Sequence, residues 1–377
     1  MKKFFLVLLA LTMVFTLVAC NGDQETSGDQ EDLGFKIGIV TGTVSQGEEE
    51  FRAAENMMAK YGSDNIEHVT YPDRFGQETE TTISQVSALA SDPDVKAIIF
   101  TQAVTGAAPA IDRIKESRDD VLFIMGAPHE DPDTIAARAD IILDVDQLSR
   151  GRSIMELANS MGAETFVHYS FPRHLAMELL GARRDELKIA AEDIGMKFVE
   201  VDAPDPTGDA GVPGSQQFIM EDVPRRVEEF GKDTAFFSTN CSMMEPLITQ
   251  SLEEGAIFPE QCCPSPYHAY PGALGIAIPE EHAGDNDYIA TQITEKISEE
   301  GGTGRFATWQ LPANPTIIEA GVAYAVEYGK GNLDKNDYDA MIDIFQKMAK
   351  ENDTEAHFST LEGHDNFLLF YIDSQIF

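Results

Sequence analysis

Hydroxyl, amide, imidazole and guanidinium side chains collect just beyond the ends of short apolar runs in this chain. Thr41, Thr43, Ser45 and Gln46 follow FKIGIV, Thr101 and Gln102 follow KAIIF, and Gly126 and His129 follow VLFIM. Further along, Ser170, Arg173 and His174 follow TFVHY, and Asp205 follows KFVEV. Thr239, Asn240 and Ser242 follow TAFF, with Tyr267 and His268 in a later loop. Such groups fix a polar solute by directed hydrogen bonds worth ~1 kcal/mol net each, and more when charged. Arg173 has two readings. In a chain poor in cations it could fork onto a carboxylate, a phosphate or paired hydroxyls of a ligand, or it could neutralise nearby acids at a helix start. His129 and His268 are either ligand contacts or polar turn residues. Tyr267, Tyr270 and Trp309 are flat enough to stack on a sugar or base ring, although the place of Trp309 near a crossing better suits packing at a hinge.

Reaction chemistry has little support. The sequence has no GxSxG, no HExxH and no GxxxxGK[ST]. Gly38, Gly42 and Gly47 miss the GxGxxG spacing, and Glu48-Glu49-Glu50 at the next helix start would repel an anion. Asp202, Asp205 and Asp209 lack the spacing of a calcium loop. No cofactor and no metal is expected, because Cys241, Cys262 and Cys263 show neither CxxC nor a His-containing zinc spacing. This odd trio invites one disulfide, Cys241 with Cys262 or Cys263, and one free thiol. The protein is read as a binder rather than an enzyme.

These side chains need a scaffold that ends many strands at one edge. Apolar runs of four to six residues alternate with helical stretches from Phe35 onward. Runs of that kind make parallel strands buried on both faces, joined by right-handed helical crossovers. Predicted helices include 48–61, 78–90, 148–161, 175–194, 215–230, 288–299, 315–328 and 337–349. Predicted strands include 274–278, 305–311 and 367–372. About ten strands exceed what one small open sheet needs, so the fold class is α/β with two doubly wound parallel-sheet lobes. In such sheets ligands bind beyond the carboxyl ends of the strands.

Charge narrows the partners. The chain carries 27 Lys and Arg against 65 Asp and Glu, a formal net charge of −38. That body repels phosphate backbones and argues against nucleic acid. Self-repulsion of this size is relieved by salt, which fits a salty or alkaline habitat as well as an ordinary acidic secreted protein.

The first residues, Lys2-Lys3 and then an apolar run to Leu17, have the form of a secretory leader too short to span a membrane. Leu17-Val18-Ala19-Cys20 resembles the lipobox of bacterial lipoproteins. The resemblance implies a signal peptide over 1–19 and a lipidated Cys20 anchored to the cell membrane on its extracytoplasmic side. Residues 20–34 are polar and acidic and read as a disordered tether, reaching roughly 20 Å by chain statistics.

The order of elements resembles the type 1 periplasmic-binding-protein fold of ABC-importer receptors. Lys36–Val40 with 41–47 looks like the first strand and ligand loop, and Asp92-Pro93-Asp94-Val95 before KAIIF like the third. Ile142–Asp146 with Leu148–Gly151 resembles one interlobe crossing, and 305–312 with 315–328 resembles the return. The stretches 237–246 and 261–268 differ from sugar receptors and resemble an uncharacterised group of bacterial lipoproteins of this fold. The resemblance implies a first lobe of 35–145 plus 312–377, a second of 146–311, a hinge, and a ligand cleft between them. It implies a lipoprotein that delivers a small polar solute, of sugar or nucleoside class, to the membrane permease of an ABC importer. Alternatives are a ligand sensor for a membrane kinase or chemoreceptor and, less well supported, a surface hydrolase. A DNA-binding member of the same fold is excluded by charge and by the lack of a basic helix-turn-helix.

Overall fold

The computed structural model describes residues 32–279, 282 and 285–377. The leader, Cys20 and nearly all of the tether lie outside the described residues. Leu33–Phe377 form one compact unit.

Among the described residues, twelve strands alternate with helices. The larger sheet has seven, in the order β10-β11-β5-β4-β3-β1-β2. They are β1 (Lys36–Thr41), β2 (Ile66–Thr70), β3 (Val95–Thr101), β4 (Leu122–Gly126), β5 (Ile141–Val145), β10 (Ala356–Thr360) and β11 (Phe367–Ile372). All neighbours are parallel except the edge pair β10 and β11. The smaller sheet is β7-β6-β8, built from β6 (Thr165–Ser170), β7 (Lys197–Asp202) and β8 (Thr234–Ser238), all parallel. Parallel bridges from Ala235 to Ile257 and from Phe258 to Phe306 carry it further.

Alternation along each buried strand decides which core a side chain joins. In β3, Ala97 and Ile99 face one apolar cluster with Ile37, Ile317 and Phe345, while Ile98 and Phe100 face the other with Val86, Ile111 and Phe123. Each such large side chain, taken fully out of water, contributes ~1.5–3 kcal/mol. Aspartates start several helices. Asp146, Asp285 and Asp337 each accept a backbone N–H of the helix that follows.

Three stretches join the lobes. β5 runs into the helix Gln147–Ser160, β9 (Ala307–Trp309) runs into the helix Ala313–Gly329, and β11 runs into β12 (Ser374–Ile376). β12 pairs antiparallel with β9, and Phe377 is buried against Tyr270 in the second lobe. The chain end therefore leaves the first lobe, a third crossing that a first lobe running to residue 377 does not contain. Trp309 is fully buried at this crossing, between Arg150 and the Phe370 and Tyr371 rings.

Other departures have local causes. Residues 274–278 form no strand. Pro271 starts the short helix Tyr270–Leu274, and Gly275 in the left-handed region ends it. The predicted helix 175–194 is two, Pro172–Leu175 and Glu178–Ile194. β10 carries mostly polar, exposed residues, so only pairing reveals it.

Candidate functional site

Parallel strands of each sheet end on one edge, and the two edges face each other across two cavities. The first, of about 410 Å³, is lined by Gln46, Gln102, His129 and Asp144 from the larger sheet's edge. Gln147, Arg173, His174, Arg183, Thr239 and Asn240 line it from the second lobe. Backbone strain concentrates here. Of four non-glycine residues with positive φ among the described residues, Gln102 (51°) and Ala127 (44°) directly follow β3 and β4. A third, Ala269 (67°), follows His268.

Arg173 is already engaged. Its Nε and Nη2 donate to the two Asp205 carboxylate oxygens at 2.8 and 3.1 Å. Asp205 also accepts from the Thr207 amide and hydroxyl. Burial alone would raise this carboxyl; Arg173 and Thr207 outweigh it and hold it below the usual range. Asp205 serves the clamp and does not line either cavity.

Among the described residues lining this cavity, Arg183 is the cation left unmatched. Its Nη1 donates to Gln147 Oε1 at 2.7 Å, and the guanidinium lies 5.0 Å from the Phe237 ring centroid. Its Nε and Nη2 are buried with no hydrogen-bond partner. Burial, then the neighbouring Arg150 charge, pull it down to about 9. Arg150 is fully matched by Glu260 at 2.7 Å and by the carbonyls of Gln261 and Cys262. Gly151 lets the two helices meet, since a Cβ there would lie 2.4 Å from the Glu186 Cβ. Arg183 falls on the apolar face of its helix with Leu179 and Leu187, four residues either side. A cation on that face was the legible signal.

His129 and His174 approach from opposite lobes, ring centroids 6.5 Å apart. Burial and then the Arg173 charge bring His129 down to about 4 and hold His174 well below its usual value. Both imidazoles are neutral near pH 7, each offering one donor and one acceptor, and both Nδ1 atoms lack partners. Asp144, at the end of β5, is pushed up to about 7 by burial.

The second cavity, of about 810 Å³, is lined by Ser45, Gln46, Glu49, Glu50 and Gln102 from one lobe and Cys241, Ser242, Tyr267 and His268 from the other. A break at Gly47 in the helix Val44–Tyr61 turns Glu49 and Glu50 inward, leaving Glu48 alone of the three exposed. Any side chain at Gly47 would strike Glu50, with a Cβ 2.3 Å from Oε2. Glu50 Oε1 accepts from Gln102 and Asn314 at 2.6 Å each. Burial, then the Glu50 charge, push Glu49 up to about 8.

Several nominated residues fall outside these walls. Thr41 is buried and hydrogen-bonds to the Gly42 carbonyl and His68. Thr101 is buried beneath Gly126, and Ser170 pairs with the Thr239 hydroxyl at 2.9 Å. Thr43 bonds Asp73 on an exposed rim, as does Ser45, which still lines the larger cavity. Tyr270 is a core residue whose hydroxyl donates to the Ala307 carbonyl. Cys241, Cys262 and Cys263 stand as free thiols in this structure. Cys241 Sγ lies 3.0 Å from Cys262 Sγ and 3.4 Å from Cys263 Sγ.

Residues 35–307 match the family described as Protein of unknown function (DUF3798). The chain belongs to that family. An uncharacterized protein of Treponema pallidum (strain Nichols) is 36% identical over 218 residues, covering 55% of this chain and 99% of that protein. Among solved structures, a candidate transcriptional regulator from Clostridium difficile 630 is 27% identical with a TM-score of 0.73, covering 91% of this chain and 99% of that one. An ABC transporter solute binding protein from Clostridium phytofermentas, with bound L-rhamnose, is 8% identical with a TM-score of 0.53, covering 91% and 95%. The fold is the two-lobed type 1 periplasmic-binding-protein fold. No helix among the described residues is long and apolar enough to cross a membrane.

Proposed function

We propose that this protein is an extracytoplasmic solute-binding lipoprotein, tethered through Cys20, that delivers a small polar solute to the permease of an ABC importer. One observation carries the reading. The smaller cavity is walled by both lobes and holds a buried guanidinium with two unused N–H-bearing nitrogens, facing neutral imidazoles and amides. A solute shifts the lobes toward closure only by touching both, and Gln102 and His129 on one side with Arg183, Thr239 and Asn240 on the other allow that. The solute is acceptor-rich, of sugar or nucleoside class, because an acceptor group must complete Arg183. In this reading the lobes comprise 35–145 with 312 onward, and 146–311, with the last residues returned to the second lobe.

The net charge of −38 opposes the DNA-binding reading that the Clostridium difficile protein's description would invite. The test is mass spectrometry of small molecules released from freshly purified, unfolded protein, then calorimetry with each compound found. A released sugar or nucleoside that rebinds 1:1 supports the proposal. Release and rebinding of nothing polar, or chemical turnover of the added compound, overturns it.

A further inference from the structure

From Cys241 and His268 on the wall of the larger cavity and Cys262 on that of the smaller, we infer a binding site for a thiophilic metal ion, Zn²⁺ being the best-fitting class. The two Sγ atoms and an imidazole nitrogen all lie within 4.8 Å of one another. Two thiolates and one imidazole are a soft donor set, and three protein ligands leave a fourth tetrahedral position open to solvent or solute. The ligands come from separate loops, after β8 and after the Ile257–Phe258 bridges, which is why no zinc spacing shows in the sequence.

The supporting groups are already in place. Nδ1 of His268 hydrogen-bonds with the Cys263 carbonyl at 2.7 Å, the outer contact that fixes a ligating imidazole's ring and leaves Nε2 for metal. Gln261 donates to the carbonyls of Ser265 and His268 and accepts from Thr308, so the 261–268 loop is held from within. Asn240 Oδ1 accepts from the amide and hydroxyl of Ser242 and sets the turn that carries Cys241.

A second, independent observation points to a cation. Glu49 and Glu50 line the same cavity as Cys241 and His268, and one oxygen of each is buried without a partner. Arg52, also on that wall, is already paired with Glu55 at 2.7 Å. Carboxylates and thiols thus converge on this wall, while the Arg183 guanidinium lies on the side of the smaller cavity with Cys262. On binding, the two thiols release their protons to solvent as two metal–sulfur bonds form. With bonds of about 2.3 Å, tetrahedral geometry needs the sulfurs roughly 3.7 Å apart, so the pair opens slightly.

The test uses the full chain, reduced and stripped of metal, with no solute present. Its failure therefore leaves the solute-binding reading standing. Titration with Co²⁺ gives thiolate-to-cobalt charge-transfer absorption and tetrahedral d–d bands at one ion per chain, displaced by Zn²⁺. Cys241→Ser and Cys262→Ser weaken binding by at least about 100-fold, and His268→Gln by at least about tenfold. Cys263→Ser changes it by less than about threefold, and far-UV circular dichroism verifies that each variant is folded. Absence of the charge-transfer band from the reduced wild-type protein overturns the site. So does a Cys241–Cys262 disulfide found by peptide mass analysis of protein purified without reductant, or loss of the band in Cys263→Ser alone.

Discussion

Arg173 and Arg183 line the same cavity from adjoining helices, and their charges are satisfied in opposite ways. The Arg173 side chain, 32% exposed, is clamped by both oxygens of Asp205. Arg183, 1% exposed, has Gln147 and the face of Phe237 but no carboxylate within ion-pair distance. A cation held out of water without a counterion works against folding, whereas a half-exposed pair is nearly neutral to it. The position of a ligand group is therefore marked by the unmet charge. The exposed rim is where the sequence draws the eye; the unmet charge sits deeper, behind it.

Arg150 supplies the reference for a buried cation that is met. Glu260 accepts from it and from the Trp309 indole at 2.7 Å, tying the hinge together. Glu260→Ala strands Arg150 and is expected to lower unfolding free energy by ~3–5 kcal/mol, read from urea midpoints. Arg183→Met is expected to do the reverse on stability, leaving the ligand-free midpoint unchanged or raised. It is expected to weaken affinity for the identified solute by ~1.5–3 kcal/mol, the worth of a charged hydrogen bond. A Met variant that binds as tightly as wild type would remove Arg183 from the site.

This contrast also shows what the sequence could and could not convey. Uninterrupted apolar strands such as β3 and β4 state their burial directly, and the two-sheet α/β architecture follows from their order. The edges that carry Gln46, Gln102, His129, Thr239 and Asn240 follow from the strand ends. Arg183, Asp144 and Glu50 were hidden because their chemistry depends on tertiary burial. Arg183 looks like its neighbour Arg184 until helix register separates them, and Glu50 looks like Glu48 until the break at Gly47 turns it inward. The chain's final crossing was hidden because β12 is three residues long and pairs only with β9. Thr41 and Ser170 sit at strand ends as expected, but at positions where the side chain points into the packed layers.

A buried acid and a buried base should separate in the same way with pH. Asp144 accepts one backbone N–H, and burial lifts it to about 7 from a usual value of 3.8. The folded state thus keeps a proton that the unfolded chain has already lost. Its contribution to stability is full below about pH 4 and is lost as pH rises through 7. His168 has the opposite sign. Burial takes it down to about 3 from 6.5, so its contribution is present above pH 6.5 and lost as pH falls toward 3. The two slopes oppose each other over most of this window. Asp144→Asn removes the first slope and is expected to steepen the acid-side decline, relative to wild type, by up to about 1.4 kcal/mol per pH unit. An unchanged pH profile for this variant would mean that Asp144 ionises normally in the folded protein.

The smallest effect is expected at Arg173, the residue the sequence singled out. Its pair with Asp205 is partly exposed, and pairs of that kind contribute ~0.2–1 kcal/mol. Asp205 keeps its Thr207 contacts when the guanidinium is gone, so no buried charge is stranded. Arg173→Ala should thus lower stability by less than about 1 kcal/mol, and by less still at high salt. Solute affinity should change little if Asp205 occupies Arg173 in the closed form as well. Closure could instead pull Arg173 away from Asp205 and onto the solute, because it lies beside His174 on the moving wall. Calorimetry on Arg173→Ala and Asp205→Asn distinguishes the two. Equal, small effects keep Arg173 as a rim clamp. Tighter binding in Asp205→Asn with weaker binding in Arg173→Ala would show that Asp205 competes with the solute for one guanidinium, and the division between the two arginines would then hold only for the ligand-free state.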